Sequence, residues 1–141
     1  MSERVRRMLL AVLVAGMAGT CAELMLTGHV EDFWQKVPVV LLIIGIGNAI
    51  AALLRPARWN VVPLRVTMVL FMCAGALGTF FHYESNAEFA AELTPGLSGF
   101  ALLSAAMTRP TPPPLAPGTM IMLGLLGLIA CYGAGRPSKG E

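Results

Sequence analysis

Both histidines of this chain are followed two residues later by a glutamate, in His29-Val30-Glu31 and His82-Tyr83-Glu84. In an extended backbone, residues two apart point the same way, so each pair could present an imidazole and a carboxylate together. In a helix the partnerships change. His82 then shares a face with Asn86, while Glu84, Glu88 and Glu92 fall at successive i, i+4 steps, where like charges repel and call for a cation or a basic side chain. With Glu23 as an innermost ligand, the set Glu23, His29, Glu31, His82, Glu84 and Glu88 offers the nitrogen and oxygen donors that suit Zn²⁺, Fe²⁺ or Mn²⁺, with Cu²⁺ also admitted. Haem held between the two imidazoles is a less favoured use of the same residues. H-x-E is not a metal signature in its own right. A polar rim where helix ends meet water accounts for the same composition.

Glu23 stands about one turn inside an apolar run, where a carboxylate is expensive and must face protein or water rather than lipid. Helical spacing puts it on one stripe with Gly16, Thr20 and Thr27, small and polar enough to line a bundle interior and to serve a proton acceptor or an inner ligand. The plainer alternative is a carboxyl bonded to Asn48 or to a hydroxyl such as Thr79. Asn48, beside Gly45 and Gly47 in mid-run, needs an interhelical partner, as a bundle clamp or as a contact for something transported.

These residues have to be positioned by elements suited to lipid. The chain has 141 residues, 56% hydrophobic and 13% charged, with a mean hydropathy of +0.71. Lipid offers no hydrogen-bond partner, so spanning segments must satisfy their own backbone, as helices of about 20 apolar residues. Four such runs occur, at about 8–28, 37–54, 63–82 and 117–134, which predicts an all-α, single-domain, four-helix membrane bundle. The first run follows Arg4, Arg6 and Arg7, as a secretory signal would, but its hydrophobicity continues to Leu26, and an uncleaved helix is expected. The connection 83–115 is long for a bundle and is expected to form an outer-face loop. Its apolar stretch 97–108 is too short to span and reads as an interfacial or re-entrant segment, followed by a stiff proline-rich spacer, 109–114.

Alternating topology sets Arg4, Arg6, Arg7, Arg55, Arg58, Arg65, Arg136 and Lys139 on one side against Lys36 and Arg109 on the other. This bias predicts a multi-pass protein of the inner (plasma) membrane with both termini cytoplasmic. Glu23, Glu31, Asp32, Glu84, Glu88, Glu92 and both histidines then collect on the outer, periplasmic face. Arg65, near the start of the third run, is expected to snorkel to the headgroups. Trp34 and Trp59 are expected as anchors at opposite interfaces.

A net charge of +2, without a basic stripe, argues against nucleic acid. No Walker loop, dinucleotide fingerprint, nucleophile elbow or H-E-x-x-H is present, which argues against nucleotides and a self-sufficient hydrolase. Cys21, Cys73 and Cys131 lie in three different runs and read as free thiols. Three functions stay open: an outer-face cation site in metal handling or support of a redox complex, a non-catalytic subunit packing on other membrane subunits or on itself, and a small proton- or ion-coupled transporter.

Overall fold

The computed structural model describes residues 1–28, 30–108, 115–132 and 134. They form five helices: α1 (Glu3–Leu26), α2 (Phe33–Leu54), α3 (Arg58–Leu93), α4 (Gly99–Thr108) and α5 (Leu115–Ala130). No strand occurs among the described residues. α1, α2 and α3 are long and apolar enough to cross a membrane, as expected of the first three runs. α5 is apolar but has 16 helical residues, about 24 Å.

Local chemistry sets the helix starts and stops. Ser2 caps α1 by accepting from the Val5 amide at 3.3 Å, and Glu3 pairs with Arg6 and Arg7 in the first turn. The helix ends at Leu26 with Thr27 as its cap, and the chain turns away at Gly28, whose φ of 72° lies in the left-handed region that glycine enters without penalty. At the start of α2 the Gln35 side chain accepts from the amides of Glu31 and Asp32, at 3.0 and 3.4 Å. Pro38 and Pro63 sit four residues after Trp34 and Trp59, so both prolines withhold an N–H from a tryptophan carbonyl near a helix start. There the interruption is least disruptive, because water can reach the freed oxygen.

α3 departs from expectation. It begins five residues before the predicted 63–82 and continues to Leu93, 36 residues in all, about 54 Å against a hydrocarbon thickness of about 30 Å. Glu84, Glu88 and Glu92 made this stretch read as a loop, yet glutamate and alanine are good helix formers and no breaker intervenes before Pro95 and Gly96. Much of the predicted loop 83–115 is therefore helix. α4 occupies the short apolar stretch and folds back along the end of α3, where Asn86 Nδ2 donates to the Ala106 carbonyl at 3.0 Å and Ala90 and Ala106 are buried. Among the described residues, α4 packs on α3 alone.

The other four helices meet in a closed cycle: α1 and α3 each pack against both α2 and α5. Neighbours run antiparallel. Leu10, Ala52, Leu64 and Ala130 surround one cavity at the basic end, and Leu24, Trp34, Phe81 and Ala116 line a groove at the other. The buried residues of α1, Leu10, Leu13, Met17, Thr20 and Leu24, alternate steps of three and four, the seam of left-handed helix packing. Leu42, Leu64, Met68 and Phe71 fill the centre without solvent contact.

The closest approach is between α3 and α5. A Cβ added to Gly75 would lie 2.5 Å from the Pro117 carbonyl oxygen, and one on Gly124 would lie 2.7 Å from that of Met68. The polar groups of the interior pair with one another: Asn48 Nδ2 donates to Thr67 Oγ1 at 2.9 Å, linking α2 to α3, and Thr67 donates to the Pro63 carbonyl at 3.0 Å. Arg65 does not simply run to the headgroups. Its Nη2 donates across to the carbonyls of Cys131 and Ala134, at 2.6 and 3.3 Å, capping the end of α5 with a cation where the helix dipole is negative.

Two measurements check this packing. Gly75→Ala should lower the unfolding free energy in mixed micelles by about 1–3 kcal/mol, because the obstacle is backbone. Gly47→Ala, which meets nothing within 4 Å, should keep or raise it, since alanine is the better helix former. Arg65→Met should cost about 1–3 kcal/mol through the carbonyls left unpaired, and Arg65→Lys less.

Candidate functional site

The residues expected to do chemistry are distributed unevenly. Thr20 is buried and donates to the Gly16 carbonyl at 3.0 Å, while Thr27 is exposed and donates to that of Glu23 at 2.8 Å. Glu23 itself is exposed, and the interior stripe of α1 passes through Leu24 instead. The stripe predicted from spacing thus turns inward at Gly16 and Thr20 and outward at Glu23 and Thr27. Asn48 has its interhelical partner in Thr67, not in Glu23. Thr79 likewise bonds within its own helix, to the Gly75 carbonyl at 2.9 Å.

His82, Glu84, Asn86 and Glu88 all lie within α3, so the helical alternative applies to this H-x-E. A spacing of two in a helix turns side chains by about 200°, which sends His82 and Glu84 apart. Glu84, Glu88 and Glu92 form an exposed stripe on the side of α3 away from α4, whereas Asn86 faces α4. Glu31 is exposed before α2. His29 lies outside the described residues. Among the described residues, no three His, Cys, Asp or Glu side chains come together to hold a metal ion.

His82 is half-buried and enters a different arrangement, a groove of about 680 Å³ between α2, α3 and the start of α5. Its wall is aromatic. Trp34 lies 5.7 Å from Phe81, centroid to centroid and tilted, and Phe33 meets Trp34 edge-on at 5.6 Å. Small residues make its floor: Ala74 and Gly78 on α3, with Ala116 and Pro117 on α5. Gly78 allows this, because a Cβ there would already press on the Pro117 ring at 3.2 Å. Asp32, Gln35, His82 and Ser85 supply the polar rim. A concave, mostly apolar site with a few polar groups, in the range of roughly 300–1,000 Å³, is the usual form of a small-molecule site.

In the sequence alone, Asp32 stands only among the outer acids and Trp34 only as an anchor, and nothing singles out Phe81. A signal was available: Trp34 opens one apolar run and Phe80-Phe81-His82 closes the next, so an antiparallel pair sets them at one depth. Comparisons with protein-family models, with curated proteins and with solved structures find no match, so the reading of function rests on this chain's own geometry.

Proposed function

We propose that this protein is a non-catalytic subunit of a membrane assembly: a four-helix bundle of α1, α2, α3 and α5 in the inner membrane, both termini cytoplasmic, that associates laterally through α1. The asymmetry of charge supports the orientation. Among the described residues, Arg4, Arg6, Arg7, Arg55, Arg58 and Arg65 belong to the end where α1 and α3 begin, and the opposite end has Lys36 against six carboxylates. Trp34 and Trp59, both largely exposed, stand at opposite ends as interfacial anchors would. Phe100, Leu103 and Met107 form an exposed apolar face on α4, suited to lying along the outer interface.

The observation that carries the reading is a face of α1 that the bundle leaves unused. Ala11, Ala15, Ala18, Gly19 and Ala22 are all exposed and fall within one sector of about 100°, centred roughly opposite the buried seam of Leu13, Met17 and Leu24. Other small-residue contacts are consumed internally, since Gly75, Gly78, Gly124 and Gly127 all meet a neighbouring helix at close range. A Cβ on Gly19 would meet nothing. In lipid, helices associate where small residues let backbones approach, and a second such surface on the outside suits a further transmembrane helix. The outer-face cation site has weaker support, because Glu23 on α1, Glu31 before α2 and the Glu84 and Glu88 stripe of α3 are exposed on three separate segments.

Association is measured by energy transfer between labelled copies, and between this protein and co-purifying subunits, in liposomes. Gly19→Leu and Ala15→Leu should each weaken it by about tenfold or more, the scale of losing close interhelical contact, while thermal unfolding in detergent stays unchanged. Equal association in both variants would sink the proposal. Orientation is read from reporter fusions: Arg58 should report the cytoplasm and Lys36 the outside, and a cytoplasmic signal at Lys36 would reverse it.

A further inference from the structure

We infer that the groove between α2, α3 and α5 binds a lipophilic cation, an amphiphile with an apolar or aromatic body and a delocalised or ammonium-type positive charge. Three observations converge on that class. The groove is walled by the Trp34 and Phe81 rings, 5.7 Å apart, whose faces attract cations as well as apolar groups. Its rim carries the Asp32 carboxylate, and no Lys or Arg lines it among the described residues. It opens at the end of the bundle that, among the described residues, bears Glu23, Glu31, Glu84, Glu88 and Glu92 against Lys36; with Arg109 of the sequence counted as well, acids still outnumber bases there, so the surrounding field favours positive charge.

An anion is poorly served by the same geometry. The first-turn amides of α2 would by themselves draw negative charge, but the Asp32 carboxylate at that helix end opposes it, and the preceding amides of Glu31 and Asp32 are taken by the Gln35 side chain. A fatty acid or phosphate head would meet the Asp32 carboxylate with no Lys or Arg among the described lining residues to offset it, the half-buried His82 imidazole being the one other titratable group on the rim. A neutral acyl chain would fill the apolar floor but gain nothing from the carboxylate or from the faces of the rings. Charge complementarity therefore selects among the amphiphiles a membrane supplies.

The test uses two ions of nearly the same shape and opposite charge, tetraphenylphosphonium and tetraphenylborate, with the intact protein in mild detergent. The two tryptophans lie at opposite ends, so Trp59→Phe leaves Trp34 to report the groove and Trp34→Phe leaves Trp59 to report partition into the micelle. Tetraphenylphosphonium should quench Trp34 saturably and Trp59 only in proportion to partition, and tetraphenylborate should quench both alike. Asp32→Asn, which keeps a good helix cap while removing the charge, should raise the phosphonium Kd about fivefold, the scale of an exposed ion pair. Equal saturable binding of both ions at Trp34, unchanged affinity in Asp32→Asn, or quenching that does not distinguish Trp34 from Trp59 would each overturn the inference. The comparison of the two ions needs no Asp32 variant, so a folding defect in Asp32→Asn leaves the test intact.

Discussion

Gly75 and Gly124 bring α3 and α5 so close that each meets a carbonyl oxygen of the other helix where a side chain would otherwise stand. Lipid is as apolar as leucine, so burying apolar surface gives little drive for helices to associate inside a membrane; packing and interhelical hydrogen bonds must supply it. α5 has the shortest apolar helix of the closed cycle and no charged residue between Leu115 and Ala130. It is held by this approach, by the contact of Gly127 with Met68 and Leu13, and by Arg65 at its far end. The groove depends on the same approach. Pro117, which meets both Gly75 and Gly78, is part of its floor, so moving α3 away from α5 would remove the surface on which Trp34 and Phe81 form a wall.

The polar chemistry of the interior is used up in holding this arrangement. Thr20, Thr67 and Thr79 return their hydroxyl protons to carbonyls four residues earlier, a habit that satisfies the hydroxyl locally. Asn48 reaches Thr67 and closes the α2 to α3 contact at mid-depth, where an amide without a partner would be costly. Arg65 is placed likewise: a guanidinium has several donors in a rigid fork, and two carbonyls at the end of α5 receive them. Among the described residues Arg6 Nε, at the basic end, is the one buried side-chain polar atom without a hydrogen bond; the core is otherwise satisfied and chemically plain. It directs attention to the outside of the ring and to its acidic end.

Helices were legible where composition and period agreed. The apolar runs behind α1, α2 and the first part of α3 are unmistakable, and the short stretch in α4 is too short to span on its length alone. The extension of α3 was not, because Glu84, Glu88 and Glu92 are polar enough to suggest a loop, while the absence of a breaker before Pro95 decides that they stay helical. Arg65 was misdirected for a related reason. A cation near a helix start has an easy route to headgroups, and only the antiparallel return of α5 shows that a helix end lies nearer. The His and carboxylate pattern is a matter of spacing along one chain, and spacing cannot tell that Glu23 turns outward while Leu24 turns in. The groove is a product of four elements, with Leu24 of α1 beside residues of α2, α3 and α5, and has no signature in any one of them.

Two surfaces remain after the core is accounted for, and their positions make them compatible. On α1 the groove-lining Leu24 points toward the core, and the small-residue stripe points roughly the opposite way, so a helix seated on Ala15 and Gly19 would lie on the far side of α1 from the groove. The mouth of the groove is set by Asp32, Trp34 and His82 on α2 and α3, which contribute nothing to that stripe. A subunit could therefore be held in an assembly through α1 and still admit a ligand between α2, α3 and α5. The two proposed uses would also differ in what disturbs them: bulk at Gly19 would act through van der Waals fit whatever the salt, whereas cation binding in the groove would respond to the charge of Asp32 and to ionic strength.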